Sequence, residues 1–287
     1  MSPDIPRRRR SVAKVVERVD DSIAGIPNPD TVRTDFPGID RILGGGLRRR
    51  DLVVLGGDVG AGKSSLALAV ALRVAARGER VAFVSGEMDE ERLLERALAI
   101  EGRVRLNDIR RGDLSDEARA ALGSVAIRIR DWQLVPLSAA GPDLESVLDR
   151  VASQRAALTV VDYLQVLPPP RGAVSQDERD AAAVRLLKET ALSVDTALLL
   201  AAQLPRHNPS RRDPRPNLND FGALGAVKFH ADVVLGLYRE EMYQQWRGLE
   251  GATELVVAKN RHGATGFVDL YFYREWMRFE DMLDPDR

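Results

Sequence analysis

Residues 52–64 read Leu-Val-Val-Leu-Gly-Gly-Asp-Val-Gly-Ala-Gly-Lys-Ser, and the fold class turns on this stretch. Leu52–Leu55 is a short apolar run with strand character, and Gly56–Gly62 is a glycine-rich turn. Ser64–Ala76, rich in Ala and Leu, has helical character. From Gly57 to Ser64 the spacing fits GxxxxGK[ST], with a strand before it and a helix after it. Glycines let backbone N–H groups curl around phosphate oxygens without Cβ clashes. The helix N-terminus adds the positive end of its dipole. Lys63 reaches the β/γ-phosphates as a point charge, and Ser64 Oγ is suited to Mg²⁺. The candidate cradle is Gly57, Gly60, Ala61, Gly62, Lys63, Ser64 and Ser65.

Outward from this turn, strands and helices alternate. Arg80–Ser85, Leu158–Val161 and Ala197–Ala202 read as strands, and Asp89–Ile100 and Arg179–Val194 as helices. Such alternation implies βαβ units and a mainly parallel central sheet flanked by helices, an α/β fold. The last 60 or so residues change character. Val233–Tyr238, Thr253–Ala258 and Gly266–Tyr273 are strand-like runs joined by turns, which predicts a C-terminal antiparallel hairpin extension. At the other end, residues 1–10 read as a disordered basic tail. Val12, Val15, Val16, Val19 and Ile23 then follow helical spacing behind Ser11, a candidate N-cap. Residues 1–30 are therefore expected to be a tail and linker helix, and residues 31–287 a single domain.

The composition bounds the function. The 287 residues are 44% hydrophobic and carry a net charge of −1, enough apolar material for a core and no global basic excess. Cysteine is absent, which excludes disulfides, thiolate metal sites and a Cys nucleophile. No apolar run approaches the ~18–20 residues that span a bilayer, and no apolar signal segment follows the N-terminus. A cytoplasmic protein without a membrane partner is the expectation. Arg outnumbers Lys by 37 to five, the lysines being Lys14, Lys63, Lys188, Lys228 and Lys259. His207, His230 and His262 are scattered without metal-ligand spacing, and no GxGxxG opens a helix.

Two strands end in carboxylates. Leu158–Asp162 places Asp162 where open α/β sheets bind ligands, in position to hold Mg²⁺ directly or through water. Val81–Glu87 places Glu87 at the exit of the strand after the cradle helix. From pattern alone, Glu87 is equally a polariser of attacking water or a solvated residue beside the next helix.

These stretches, with others, resemble the C-terminal, RecA-like motor domain of DnaB-type replicative helicases. The resemblance runs from about Ser11 to Met282. Its other carriers are Thr34–Asp40, Gly44–Leu47, Phe83–Met88, Val161–Gln165, Ala202–Arg206, Ala231–Leu235, Tyr238-Arg239 and Ala258–Gly266. It implies a RecA-like P-loop ATPase using ATP and Mg²⁺, assembled as a homo-oligomeric ring, a hexamer, around single-stranded DNA. A helicase loader or primase is an implied partner. It gives Glu87 the general-base role and Gln203 the role of γ-phosphate sensor. Arg261 becomes a finger acting on the neighbouring subunit's ATP, with Lys259 beside it, two residues away on one strand face. The N-terminal helix becomes a linker that docks on the next motor domain.

The pattern also departs from the family. Given the length of the sequence, the family's N-terminal collar domain is expected to be absent from it. Where the family has a DNA-facing Asp-Leu-Arg-Glu-Ser-Gly loop, this sequence has Asp220-Phe221-Gly222-Ala223-Leu224-Gly225. Backbone donors near Gly225, together with Lys228, Arg206, Arg211, Arg212 and Arg215, are candidates to replace the lost cation, or else form a solvated loop. Asp58 stands where the family commonly has Arg. The expected activity is an ATP-dependent helicase motor. The alternatives are a RecA-, KaiC- or RadA-like regulatory or repair ATPase without unwinding, or a non-catalytic ring or loader subunit.

Overall fold

The computed structural model describes residues 7–26, 28–172, 175–205, 211–243 and 250–282. The first half contains α1 (Arg7–Ile23), β1 (Thr31–Val32), α2 (Pro37–Ile42), β2 (Leu47–Arg48), β3 (Leu52–Gly57), α3 (Lys63–Ala76), β4 (Val81–Ser85) and α4 (Glu90–Gly102). The middle contains α5 (Leu106–Arg111), α6 (Asp116–Arg130), β5 (Leu134–Ser138), α7 (Leu144–Gln154) and β6 (Leu158–Asp162). Then come α8 (Gln176–Val194), β7 (Ala197–Gln203), α9 (Ala226–His230), β8 (Val233–Tyr238), β9 (Ala252–Asn260), β10 (Gly266–Tyr273) and β11 (Arg278–Asp281).

A nine-stranded sheet in the order β11-β10-β9-β8-β3-β7-β6-β4-β5 forms the centre. From β8 to β5 all neighbours are parallel, whereas β8–β9, β9–β10 and β10–β11 are antiparallel. The parallel strands are buried on both faces because a strand sends alternate side chains to opposite sides. Val53, Leu55, Val81, Phe83, Leu158 and Val160 enter one core with α3. Leu52, Val54, Val84, Val161, Leu198 and Leu200 enter the other, with α7 and α8. Helix starts are fixed locally: Asp89, Ser115 and Asp143 accept the N–H three residues on, and Ser175 with Glu178 forms a capping box.

The expected strands and helices are present with small shifts of boundary, and the antiparallel extension is one strand longer than expected. One local reading is corrected. The N-terminal helix begins at Arg7, so Ser11 lies inside it rather than capping it, and residues 7–10 are helical instead of a disordered tail. Residues 1–6 lie outside the described residues. The helix's apolar stripe is exposed, from 49% at Val15 to 81% at Ile23. Among the described residues no helix is long and apolar enough to cross a membrane.

Candidate active site

Five adjacent parallel strands, β8, β3, β7, β6 and β4, run the same way and end on one rim of the sheet. Register brings Gly57 opposite Gln203 and Leu237, and Ser85 opposite Asp162. The rim therefore gathers the cradle, Gln203, Asp162 and Glu87 from segments up to 146 positions apart in sequence. A cavity of about 510 Å³ opens there, lined by Gly60, Gly62, Lys63, Ser64, Ser65, Glu87 and Gln203 among others.

In the cradle, Gly60 (φ 79°) and Gly62 (φ 103°) occupy the left-handed region that side chains disfavour. A Cβ on Gly62 would also lie 2.9 Å from Phe279 Cζ. Ala61 and Ser65 are buried, holding the turn against the core. Lys63 Nζ donates to Gly57 O at 3.0 Å and Asp58 O at 2.9 Å. Burial lowers the Lys63 pKa, opposed by the nearby charges of Asp162, Asp58 and Glu87. Ser64 Oγ donates to Asp162 Oδ1 at 2.9 Å. Burial raises the Asp162 carboxyl above its usual range, and the Ser64 hydrogen bond opposes this. An alcohol and a carboxylate oxygen this close form a hard donor pair suited to Mg²⁺. The turn, the lysine and that pair together fit a nucleoside triphosphate with its cation.

The structure gives Asp58 a role. Its Oδ1 accepts the Val59 N–H at 2.7 Å, and its Oδ2 accepts the Tyr243 hydroxyl at 3.4 Å. The carboxylate thus braces the first bend of the cradle. Burial, then Asp58, pushes the Tyr243 phenol up to about 12.

Four further residues bear on the site, and of these Arg96 alone lies outside the stretches that carry the family resemblance. Arg96, on α4, faces the charges of Asp162 and Glu87, and its buried Nε has no hydrogen-bond partner. In sequence it belongs to a charged helical run that reads as a solvated face. Burial, then the neighbouring Glu87 carboxylate, raises the Tyr163 phenol above its ordinary range. Gln165 holds Gln203 from both sides of its peptide: its Oε1 accepts the Gln203 N–H and its Nε2 donates to the Gln203 carbonyl. Arg239 is 1% exposed, donates to Gly60 O at 3.1 Å and sits over the Phe272 ring. Only Tyr238-Arg239 within the family pattern hinted at it.

Lys259 and Arg261 are not on this rim. β9 runs antiparallel to β8, so its end pairs with the start of β8, Asn260 opposite Val233. The two cations therefore lie near the opposite end of β3, a strand length of ~20 Å away at about 3.3 Å per residue. Lys259 Nζ donates to Lys228 O and Ala231 O, and Arg261 donates to Phe229 O at 2.8 Å. Arg261 remains 49% exposed at its side chain.

The expected DNA-facing cations are only partly available. Arg211 Nη1 donates to both oxygens of Asp220 at 2.8 Å, and Arg215 pairs with Glu254. The Gly225 N–H is engaged by Gly222 O at 3.0 Å, so the backbone donor expected there is already taken. Arg212 is exposed, and Lys228 donates to Asn219. Arg206 lies outside the described residues.

Comparison with known proteins follows the same outline. The DnaB-like helicase C terminal domain family matches residues 31–281. The chain belongs to that family. It is 29% identical over 273 residues to the replicative DNA helicase DnaB of Geobacillus stearothermophilus, covering 92% of this chain and 58% of the relative. The chain thus spans a little over half of that relative's length. A solved ATPase domain superposes with a TM-score of 0.89 at 24% identity, covering 98% of this chain and all of the other. A solved DnaB-like replicative helicase, described with its interactions with primase, gives a TM-score of 0.84 at 25% identity, covering 94% and 66%. The fold is that of the DnaB-like ATPase domains, a RecA-like sheet with a C-terminal antiparallel extension.

Proposed function

We propose that this chain is the ATP-hydrolysing motor of a DNA helicase, working as a ring of copies, a hexamer, around single-stranded DNA. One observation carries the reading. The phosphate residues gather on one rim of the sheet, while Lys259 and Arg261 sit at the far end of β3, away from the chain's own pocket.

In this reading Lys63 and the cradle N–H groups hold the β/γ-phosphates, and Ser64 with Asp162 holds Mg²⁺. The bound cation neutralises phosphate charge. Glu87, which lines the cavity with Tyr163, accepts the proton of the attacking water. A neighbour's Arg261 neutralises charge building on the transferred phosphoryl group, an effect of roughly 10³–10⁵ in rate where fingers operate. Gln203, gripped by Gln165, senses the γ-phosphate at the start of the segment leading toward the 211–225 loop. Arg212 and Lys228 are the cations in that region proposed to meet DNA phosphates. A primase or loader is the proposed protein partner, by analogy with the helicase described with primase.

The test is DNA-stimulated ATP hydrolysis together with unwinding of a forked duplex. Both are expected, and strong hydrolysis without unwinding under every loading condition contradicts the helicase reading. The pairing of Arg211 with Asp220 and Arg215 with Glu254 favours one second reading, a regulatory or repair ATPase that does not unwind. Oligonucleotide binding that is absent, or flat in salt between ~50 and 200 mM, selects it.

A further inference from the structure

The tip carrying Arg261 is tied to the domain body on both sides. On one side, the Asn260 amide donates to Ile42 O at 3.2 Å and to Ala264 O at 3.1 Å. On the other, the His262 ring meets Asp51 Oδ2 through Nε2 at 2.6 Å. Asp51 is 7% exposed and immediately precedes β3, whose other end is the cradle. Beside it, Asp232 is 3% exposed and accepts Lys188 Nζ at 2.5 Å and the Leu52 N–H at 2.9 Å. Its Oδ1 faces Arg261 Nη1 at 3.4 Å.

Asp51, Asp232 and His262 bring three ligand atoms within 4.8 Å, a grouping that invites a metal reading. Lys188 already supplies the compensating cation, 2.5 Å from Asp232 and 4.0 Å from Asp51. Arg261 adds a second positive charge to the same cluster. The network therefore balances protein charges, and its geometry fixes a tip. A half-exposed arginine on a hairpin loses side-chain and backbone freedom when it enters another copy's pocket. Fixing its flanking residues beforehand lowers that cost, and a misplacement of ~1 Å at such a position is worth roughly 10²-fold in rate.

We propose that His262, acting through Asp51, is a positioning residue that holds Arg261 in place for the neighbouring copy's pocket. This rests on Arg261 being a finger. The effect must then appear in the neighbour's turnover and not in the residue's own pocket. The experiment mixes two full-length variants, each poorly active alone. His262→Ala keeps an intact cradle but offers a loose finger. Lys63→Ala has a dead cradle but offers an intact finger.

The expected result has three parts. His262→Ala lowers turnover roughly 10²-fold, yet binds a fluorescent ATP analogue as the wild type does. His262→Gln, which keeps an N–H donor near the Nε2 position, recovers most of the turnover. An equimolar mixture of His262→Ala and Lys63→Ala turns over faster than the sum of the two measured separately. Arg261→Ala mixed with Lys63→Ala is the control. If that control recovers while the His262→Ala mixture does not, the proposal is overturned and the finger reading stands. Loss of analogue binding by His262→Ala also overturns it, because the defect then lies in its own pocket. If Arg261→Ala alone keeps full turnover, the finger reading itself fails.

Discussion

Asp162, proposed to hold Mg²⁺, carries its carboxyl into the buried rim of the sheet. Burial raises its folded-state pKa above 3.8, so the folded chain binds more protons than the unfolded one between 3.8 and that raised value. Stability accordingly falls as pH rises through that window and stays lower above it. Asp162→Asn removes the penalty and keeps an acceptor for Ser64, so its melting temperature at pH 7 should rise while Mg²⁺-dependent turnover is lost. A lower melting temperature would place Asp162 among residues that hold the fold together. Glu87→Gln should keep nucleotide binding and lose roughly 10²–10⁴ in kcat, the range of a general base. Both residues stand out in sequence because each follows an apolar strand, although Glu87 gains its proposed role only from the family resemblance. Arg96 and Arg239 do not stand out. Each enters the site from an element chosen by tertiary packing, and the α4 spacing alone gives no sign that Arg96 faces Asp162.

At the scale of elements, β3 is pressed against the loop that replaces the family's DNA-facing segment. A Cβ on Gly56 would lie 2.4 Å from Phe221 Cε1, so Gly56→Ala should destabilise by about 1–3 kcal/mol through overpacking, read by denaturant unfolding. The same loop is held by Arg211 Nη1, which donates to both oxygens of Asp220. Arg211→Ala should cost about 1 kcal/mol and leave the salt dependence of oligonucleotide binding unchanged, because this arginine is engaged within the protein. A shallower salt slope would make it a phosphate contact after all. Helix α1 carries an exposed apolar stripe. Replacing Val15, Val16 and Val19 by Ser should reduce the mass of the assembly without lowering the melting temperature of the body. Strands β3, β4, β6 and β7 and helices α3, α4 and α8 were legible because hydrophobic runs and glycine turns are local, whereas α5, α6 and α7 were not read. β5 (Leu134–Ser138) was not, since it is a half-exposed edge strand containing Pro136. β11 was missed because only Phe279 in it is buried.

At the scale of the whole molecule, topology turns a list of motifs into a claim about assembly. β9 returns antiparallel beside β8 and carries Lys259 and Arg261 to the end of β3 away from the cradle. The spacing puts both cations on one strand face, but β9 ends at Asn260 and Arg261 lies in the turn beyond it; the separation between the cations and the cradle follows only from strand order. With Arg261 in its proposed finger role, that separation makes the complete catalytic set a property of two copies. The most direct measurement is ATP turnover per chain as a function of protein concentration, with light scattering on the same samples. Turnover per chain should rise with concentration and level off as the assembly forms. Constant turnover down to concentrations where only the 31.6 kDa single chain is present would contradict the shared site.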